Sequence, residues 1–136
     1  MTTEVERVAE GAAFLDEHDP DWWRADVDRA IDLGALALAD PVLCVLGQRC
    51  PLEVLSRYAD HFAEGDLSAQ YWRSYFAYAH ELSAIGKWDG LTEWAAPLGF
   101  QAAAGDYADD EANEVYASLT AEWKRLITER REAGAQ

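Results

Sequence analysis

Positive charge is what this chain has least of. Eleven lysines and arginines stand against 26 aspartates and glutamates in 136 residues, a formal net charge of −15 at pH 7. A field of that sign repels phosphate backbones and anionic lipid, so neither direct nucleic-acid binding nor membrane association is expected. No apolar run approaches the length of a membrane span. The opening MTTEVERVAEG has no basic stretch followed by an apolar one, so it does not read as a secretory leader, and a cytoplasmic location is expected. Cysteine is scarce as well: only Cys44 and Cys50 occur, six residues apart. A disulfide across so short a loop is geometrically open, but two buried thiols suit a cytosolic chain better. Two cysteines close no zinc site, and His18, His61 and His80 do not follow finger spacing. The acid-rich stretches around Asp16 to Asp21 and Asp106 to Asp110 lack the glycine and glutamate positions of a calcium loop. H-E-x-x-H and glycine-rich phosphate-loop patterns are missing too, so no metal or cofactor is expected.

What is present argues for a folded core. Half the residues are hydrophobic and six are tryptophan, which sets the chain apart from disordered acidic sequences. Its length suits one domain, read as residues 1–136 with an ordered core from about 4 to 132. The periodicity predicts an all-α, bundle-like fold with about four main helices and short connecting ones. Over 3–18, Val5, Val8, Ala12 and Leu15 mark one face, with Thr3 and Glu6 as a capping box. Asp19-Pro20 reads as the start of a second helix running to Gly34. Its spacing places Trp23, Val27 and Ile31 inward, and Trp22, Asp26 and Arg29 toward solvent. Leu33, Leu36 and Leu38 follow in a loop or short turn.

PVLCVLGQRC, residues 41–50, is the least polar run. Residues 41–47 read as a short buried helix ending at Gly47, with a buried strand as the alternative, because periodicity does not separate the two at this length. Leu55, Tyr58 and Phe62, flanked by Leu52 and Ala59, line an amphipathic helix over 52–64. Ser68 caps the next, about 69–85, whose broad face carries Trp72, Tyr75, Phe76, Ala79, Leu82 and Ile85. Residues 86–106 form a glycine-rich connection pinned by Trp88, Leu91, Trp94, Leu98 and Phe100, with a short helix over 91–96. A final helix over 109–132 turns Ala112, Tyr116, Leu119, Trp123, Leu126 and Ile127 inward, with acids at its start and arginines at its end, as the helix dipole favours.

Phe14-Leu15-Asp16 with Pro20 and Trp22, Ile31-Asp32-Leu33 with Leu36 and Leu38, Cys44-Val45-Leu46-Gly47-Gln48, Leu98-Gly99-Phe100, and Trp123 with Arg130 form a set of segments. Taken together they resemble a family of small proteins of actinobacteria and their phages that has no assigned reaction. The resemblance spans nearly the whole chain, and the cysteine-to-glutamine stretch is its most specific part. Trp22-Trp23 and the Arg-Cys-Pro run after Gln48 look particular to this chain. A bacteriophage origin would favour a protein that binds and disables a host factor.

Two surfaces are candidates for function. The first is acidic. Residues 1–40 carry Glu4, Glu6, Glu10, Asp16, Glu17, Asp19, Asp21, Asp26, Asp28, Asp32 and Asp40, opposed only by Arg7, Arg24 and Arg29. A second cluster comprises Asp106, Asp109, Asp110, Glu111 and Glu114. Rows of carboxylates imitate a phosphate backbone and would occupy the groove of a nucleic-acid-binding protein, whereas an ordinary solvated face would show no such order. The second surface is aromatic. Trp22, Tyr71, Tyr78, Trp88, Trp94 and Tyr107 exceed what a small core hides, and Gln48 with Arg49 form a compact polar rim beside the apolar run. Together they predict an acidic protein-interaction module that binds or inhibits another protein, a basic or nucleic-acid-binding one, or a second copy of itself as a homodimer. Enzymatic activity is less favoured. Cys44 sits among apolar neighbours, and Cys50, beside Arg49, is the more exposed thiol but lacks a base.

Overall fold

The computed structural model describes residues 3–40, 43–57, 67–83, 94–101 and 109–134. Its helices are α1 (Glu4–His18), α2 (Val45–Arg49), α3 (Leu52–Arg57), α4 (Leu67–Ser83) and α5 (Asp109–Gly134), with a 3-10 turn at Ala96–Leu98. The fold is all-α, and no strand occurs among the described residues. No helix among them is long and apolar enough to cross a membrane.

Half of the expected capping box forms at the start of α1: Thr3 caps the helix, while the Glu6 carboxylate takes the Thr3 hydroxyl instead of the Thr3 backbone amide. Thr3 Oγ1 accepts the Glu6 amide at 3.1 Å, and its hydroxyl donates to Glu6 Oε1 at 3.2 Å. Val8, Ala12 and Leu15 are buried, joined by Gly11 and Arg7. Val5, expected on that face, is 55% exposed, because burial on α1 begins only at Arg7. The inner face packs against the 3-10 turn and α5. At Gly11 the approach is backbone to backbone: a Cβ there would lie 1.9 Å from the Leu98 carbonyl oxygen.

The helix expected over 20–33 does not form. After α1 the chain runs as a coil through turns and bends over the described residues up to Asp40. Asp19, instead of capping a new helix, ends α1, its amide donating to Leu15 O at 2.7 Å. Aspartate competes with helix by bonding nearby backbone, as Asp32 Oδ1 does in accepting the Gly34 amide at 3.0 Å. Arg29 adopts a left-handed φ of 61°, which a helix does not tolerate. Helical spacing therefore no longer decides which tryptophan turns inward. Trp22 is fully buried and Trp23 half-buried against Gly134 at the end of α5, the reverse of the expected order.

The apolar run resolves as helix. α2 opens one residue past Cys44, whose Sγ caps it by accepting the Gly47 amide at 3.3 Å. Gly47, expected as the terminator, lies inside the helix, which stops before Cys50 and Pro51. α3 buries Val54, half-buries Leu55 and leaves Leu52 66% exposed. Tyr58, Ala59 and Phe62 lie outside the described residues. α4 packs on α2 and α3 with Tyr75, Ala77, Tyr78 and Ala79 buried. Residues 94 and 95 are helical and lead into the 3-10 turn, which Gly99 closes at φ 73°. α5 buries Leu119, Trp123 and Ile127, with Tyr116 and Leu126 packed beside them.

The principal helix contacts form two groups, α1 with the turn and α5, and α4 with α2 and α3. One cluster of buried residues, from Val8 to Ile127, joins them. A chain of rings runs through part of it. Trp22 meets Trp123 edge to face (5.4 Å between centroids), Trp123 stacks on Phe100 (5.6 Å), Phe100 contacts Trp94 (5.7 Å), and Trp94 meets Phe14 edge to face (5.6 Å).

Candidate interaction surface

The polar residues expected at the rim of the apolar run turn inward and tie down the coil. Arg49, 8% exposed, donates to Asp19 Oδ2 and Oδ1 at 3.0 and 2.7 Å and to the carbonyls of Asp28 and Arg29 at 3.0 and 3.1 Å. The Tyr78 hydroxyl donates to Asp19 Oδ2 at 2.8 Å, and burial, then the neighbouring Asp19, pushes its acidity far down. Gln48 Oε1 accepts the Asp32 amide at 2.7 Å while its Nε2 donates to Leu43 O at 2.8 Å and Asp32 O at 3.3 Å. From α5, Arg131 donates to the carbonyls of Trp23 and Ile31 at 2.8 and 2.7 Å, and Thr120 Oγ1 accepts the Leu38 amide at 3.0 Å. A coil has no backbone ladder of its own, and these side chains supply its partners.

The aromatic surface thereby shrinks. Trp22 and Tyr78 belong to the core, and Trp94 is half-buried between Phe14 and Phe100. Arg49 and Gln48 are spent on structure. Tyr71 lies on α4, but its side chain, like the whole of Trp88 and Tyr107, is outside the described residues. The thiols are withdrawn too. Cys50, expected to be the more exposed, is 1% exposed, and burial pushes it up to about 11. Arg49 beside it in sequence is directed to Asp19. Burial raises Cys44 to about 12. Neither thiol is poised as a nucleophile.

The acidic residues divide. Asp19 is internal. Asp16 accepts Arg130 at 2.5 and 3.0 Å and the Trp22 indole at 3.0 Å, and the hydrogen bond from Arg130 holds its carboxyl below the usual range. Asp26 is paired with Arg24 at 3.0 Å and lowered by that bond. Glu17, Asp21, Asp28 and Glu114 are exposed. Asp109, Asp110 and Glu111 start α5 with their side chains outside the described residues, as is all of Asp106. No three metal-ligating side chains converge among the described residues.

α1 sets three of the candidate acids in order, an arrangement the sequence reading named residue by residue but not as a row. Glu6, Glu10 and Glu17 are all exposed, and their spacing of four and seven residues puts them on one stripe opposite Val8, Gly11 and Leu15. Arg7, the only arginine or lysine of α1, is 8% exposed and points under the 3-10 turn, donating to Ala96 O at 2.7 Å and Gln101 O at 2.5 Å. Among the described residues no lysine or arginine of α1 interrupts the row, and His18 Nε2 lies 3.9 Å from Glu17 at its end. The signal was available in the sequence, since the stripe is the complement of the apolar one.

Beside this row, between α1 and the 3-10 turn, lies an open cleft of about 540 Å³ lined by Glu6, Ala9, Glu10, Pro97 and Leu98. Compared with protein-family models, curated proteins and solved structures, the chain gives no match. The surface is therefore read from its own geometry.

Proposed function

We propose that the protein is an acidic interaction module that binds a basic surface of another protein through the carboxylate row of α1. The observation that carries this reading is the Glu6–Glu10–Glu17 stripe, opposite the buried face, from which burial withdraws Arg7, the only arginine or lysine of α1. A fixed helix holds these charges in register, so a cationic partner meets an ordered array, and the excess of 26 acids over 11 bases steers its approach. The internal placement of Trp22 and Tyr78 favours this electrostatic mode over an aromatic patch.

The same row supports a second reading, mimicry of a nucleic-acid backbone, because it is a line of negative charge without intervening lysine or arginine. Both are tested with the triple variant E6Q/E10Q/E17Q, which keeps a capping-box residue at position 6. Its control, E53Q/E114Q/E132Q, removes three exposed carboxylates elsewhere. For a lysine- and arginine-rich peptide, the α1 variant is expected to bind about tenfold more weakly and the control within about twofold of wild type. Equal losses in the two variants would sink the row and leave only bulk charge. If wild type, but not the α1 variant, also displaces a basic DNA-binding protein from duplex DNA, mimicry is the mode.

A further inference from the structure

We infer that the cleft between α1 and the 3-10 turn seats an arginine side chain of the basic partner, a step that rests on the acidic-row reading above. Its apolar surface comes from Ala9, Pro97 and Leu98, and its acidic edge from Glu6 and Glu10. These glutamates are four residues apart, so their backbones are offset by about 6 Å along the helix, and their carboxylates face the same side. Glu6 shares one oxygen with the Thr3 hydroxyl, and Glu10 has no hydrogen-bond or ion-pair partner among the described residues.

No cation of this chain fills the cleft from α1, because Arg7 runs beneath the turn to Ala96 O and Gln101 O. An anionic occupant would meet two carboxylates of its own sign. An arginine satisfies both walls. Its methylene stem lies on Ala9, Pro97 and Leu98, and its planar fork carries donors enough for both glutamates, which a lysine ammonium matches less well. The volume of about 540 Å³ leaves room for the residues flanking the arginine. One turn before Ala9 on the same stripe, Val5 is 55% exposed, and Pro97 is exposed, so apolar surface continues past the cleft.

The floor is also fixed in advance. Gly11 is in close contact with Leu98, Arg7 bonds Ala96 O at the start of the turn and Gln101 O beyond it, and the Trp123 indole donates to Gly99 O at 2.7 Å. A site that does not reorganise loses less on binding.

The test uses a fluorescein-labelled peptide with three arginines alternating with glycine, read by anisotropy against the full chain, with the matching lysine peptide for comparison. A9Y fills the cleft from an exposed position without changing any charge. It is expected to weaken the arginine peptide about tenfold while E132Q stays within about twofold, and the lysine peptide is expected to bind several-fold more weakly than the arginine one. Amide shift mapping on the wild-type chain should place the peptide at Ala9, Glu10 and Leu98, a readout independent of how A9Y folds. If A9Y binds like wild type while E6Q/E10Q/E17Q loses affinity, the row stands and the cleft is overturned. If neither variant loses affinity, both readings fall. Equal binding of the two peptides overturns the choice of arginine.

Discussion

Arg49 illustrates how much a single side chain carries here. It is 8% exposed, faces the Asp19 carboxylate through two bonds, and holds two carbonyls of the coil. Removing one member of a buried ion pair strands the other, so R49A is expected to cost about 3–5 kcal/mol in urea unfolding. Y78F removes only one donor from Asp19 and is expected to cost about 1.5–3 kcal/mol. A cost for R49A no larger than that of Y78F would show that Arg49 is not the centre of the network. None of this was legible in the sequence. Asp19-Pro20 has the local chemistry of a helix start, and nothing local shows that the carboxylate has a partner thirty residues away. Gln48 and Arg49 looked like a polar rim for the same reason: their partners, Asp32 and Asp19, are remote in sequence and near in space.

Between elements, the tightest contact is that of α1 with the 3-10 turn. Introducing a methyl by G11A would place a carbon 1.9 Å from the Leu98 carbonyl oxygen and 3.0 Å from the Trp123 ring, so the turn or the helix must move. Although alanine is the better helix former, G11A is expected to destabilise by about 2–4 kcal/mol and to lower the thermal midpoint, which calorimetry measures. A variant as stable as wild type would mean that the two elements separate at little cost. The long helices α1 and α5 were legible because their apolar positions repeat at helical spacing over many residues and local bonds close them. The coil over 19–40 was not. Its start signal and its spacing agree with helix, but anchors from α2 and α5 and the aspartate-rich backbone favour turns. The helix at Cys44 was read correctly in kind and displaced in register, since a thiol at the cap position carries little signal.

For the whole molecule, the sign of the surface could be read from composition and its distribution could not. Counting bases says eleven; the structure turns Arg7 and Arg49 inward and commits Arg131 to carbonyls. Arg24, Arg57, Arg125 and Arg130 are held in ion pairs. At −15, self-repulsion opposes compaction and is screened by salt. Raising sodium chloride from about 0.01 to about 0.5 M is therefore expected to raise the thermal midpoint by a few degrees, whereas a midpoint that falls would show that surface ion pairs outweigh the repulsion.

The last turns of α5 fasten both α1 and the coil after it: Arg130 reaches Asp16, and Arg131 reaches Trp23 and Ile31, across 100 or more residues. During synthesis the ribosome releases the N-terminal third long before these two arginines exist. That segment must wait, with Trp22 and its neighbours uncovered, until the last turns of α5 emerge. Packing of this segment is thus expected to be completed late in folding, and its dense negative charge opposes its sticking to neighbours meanwhile.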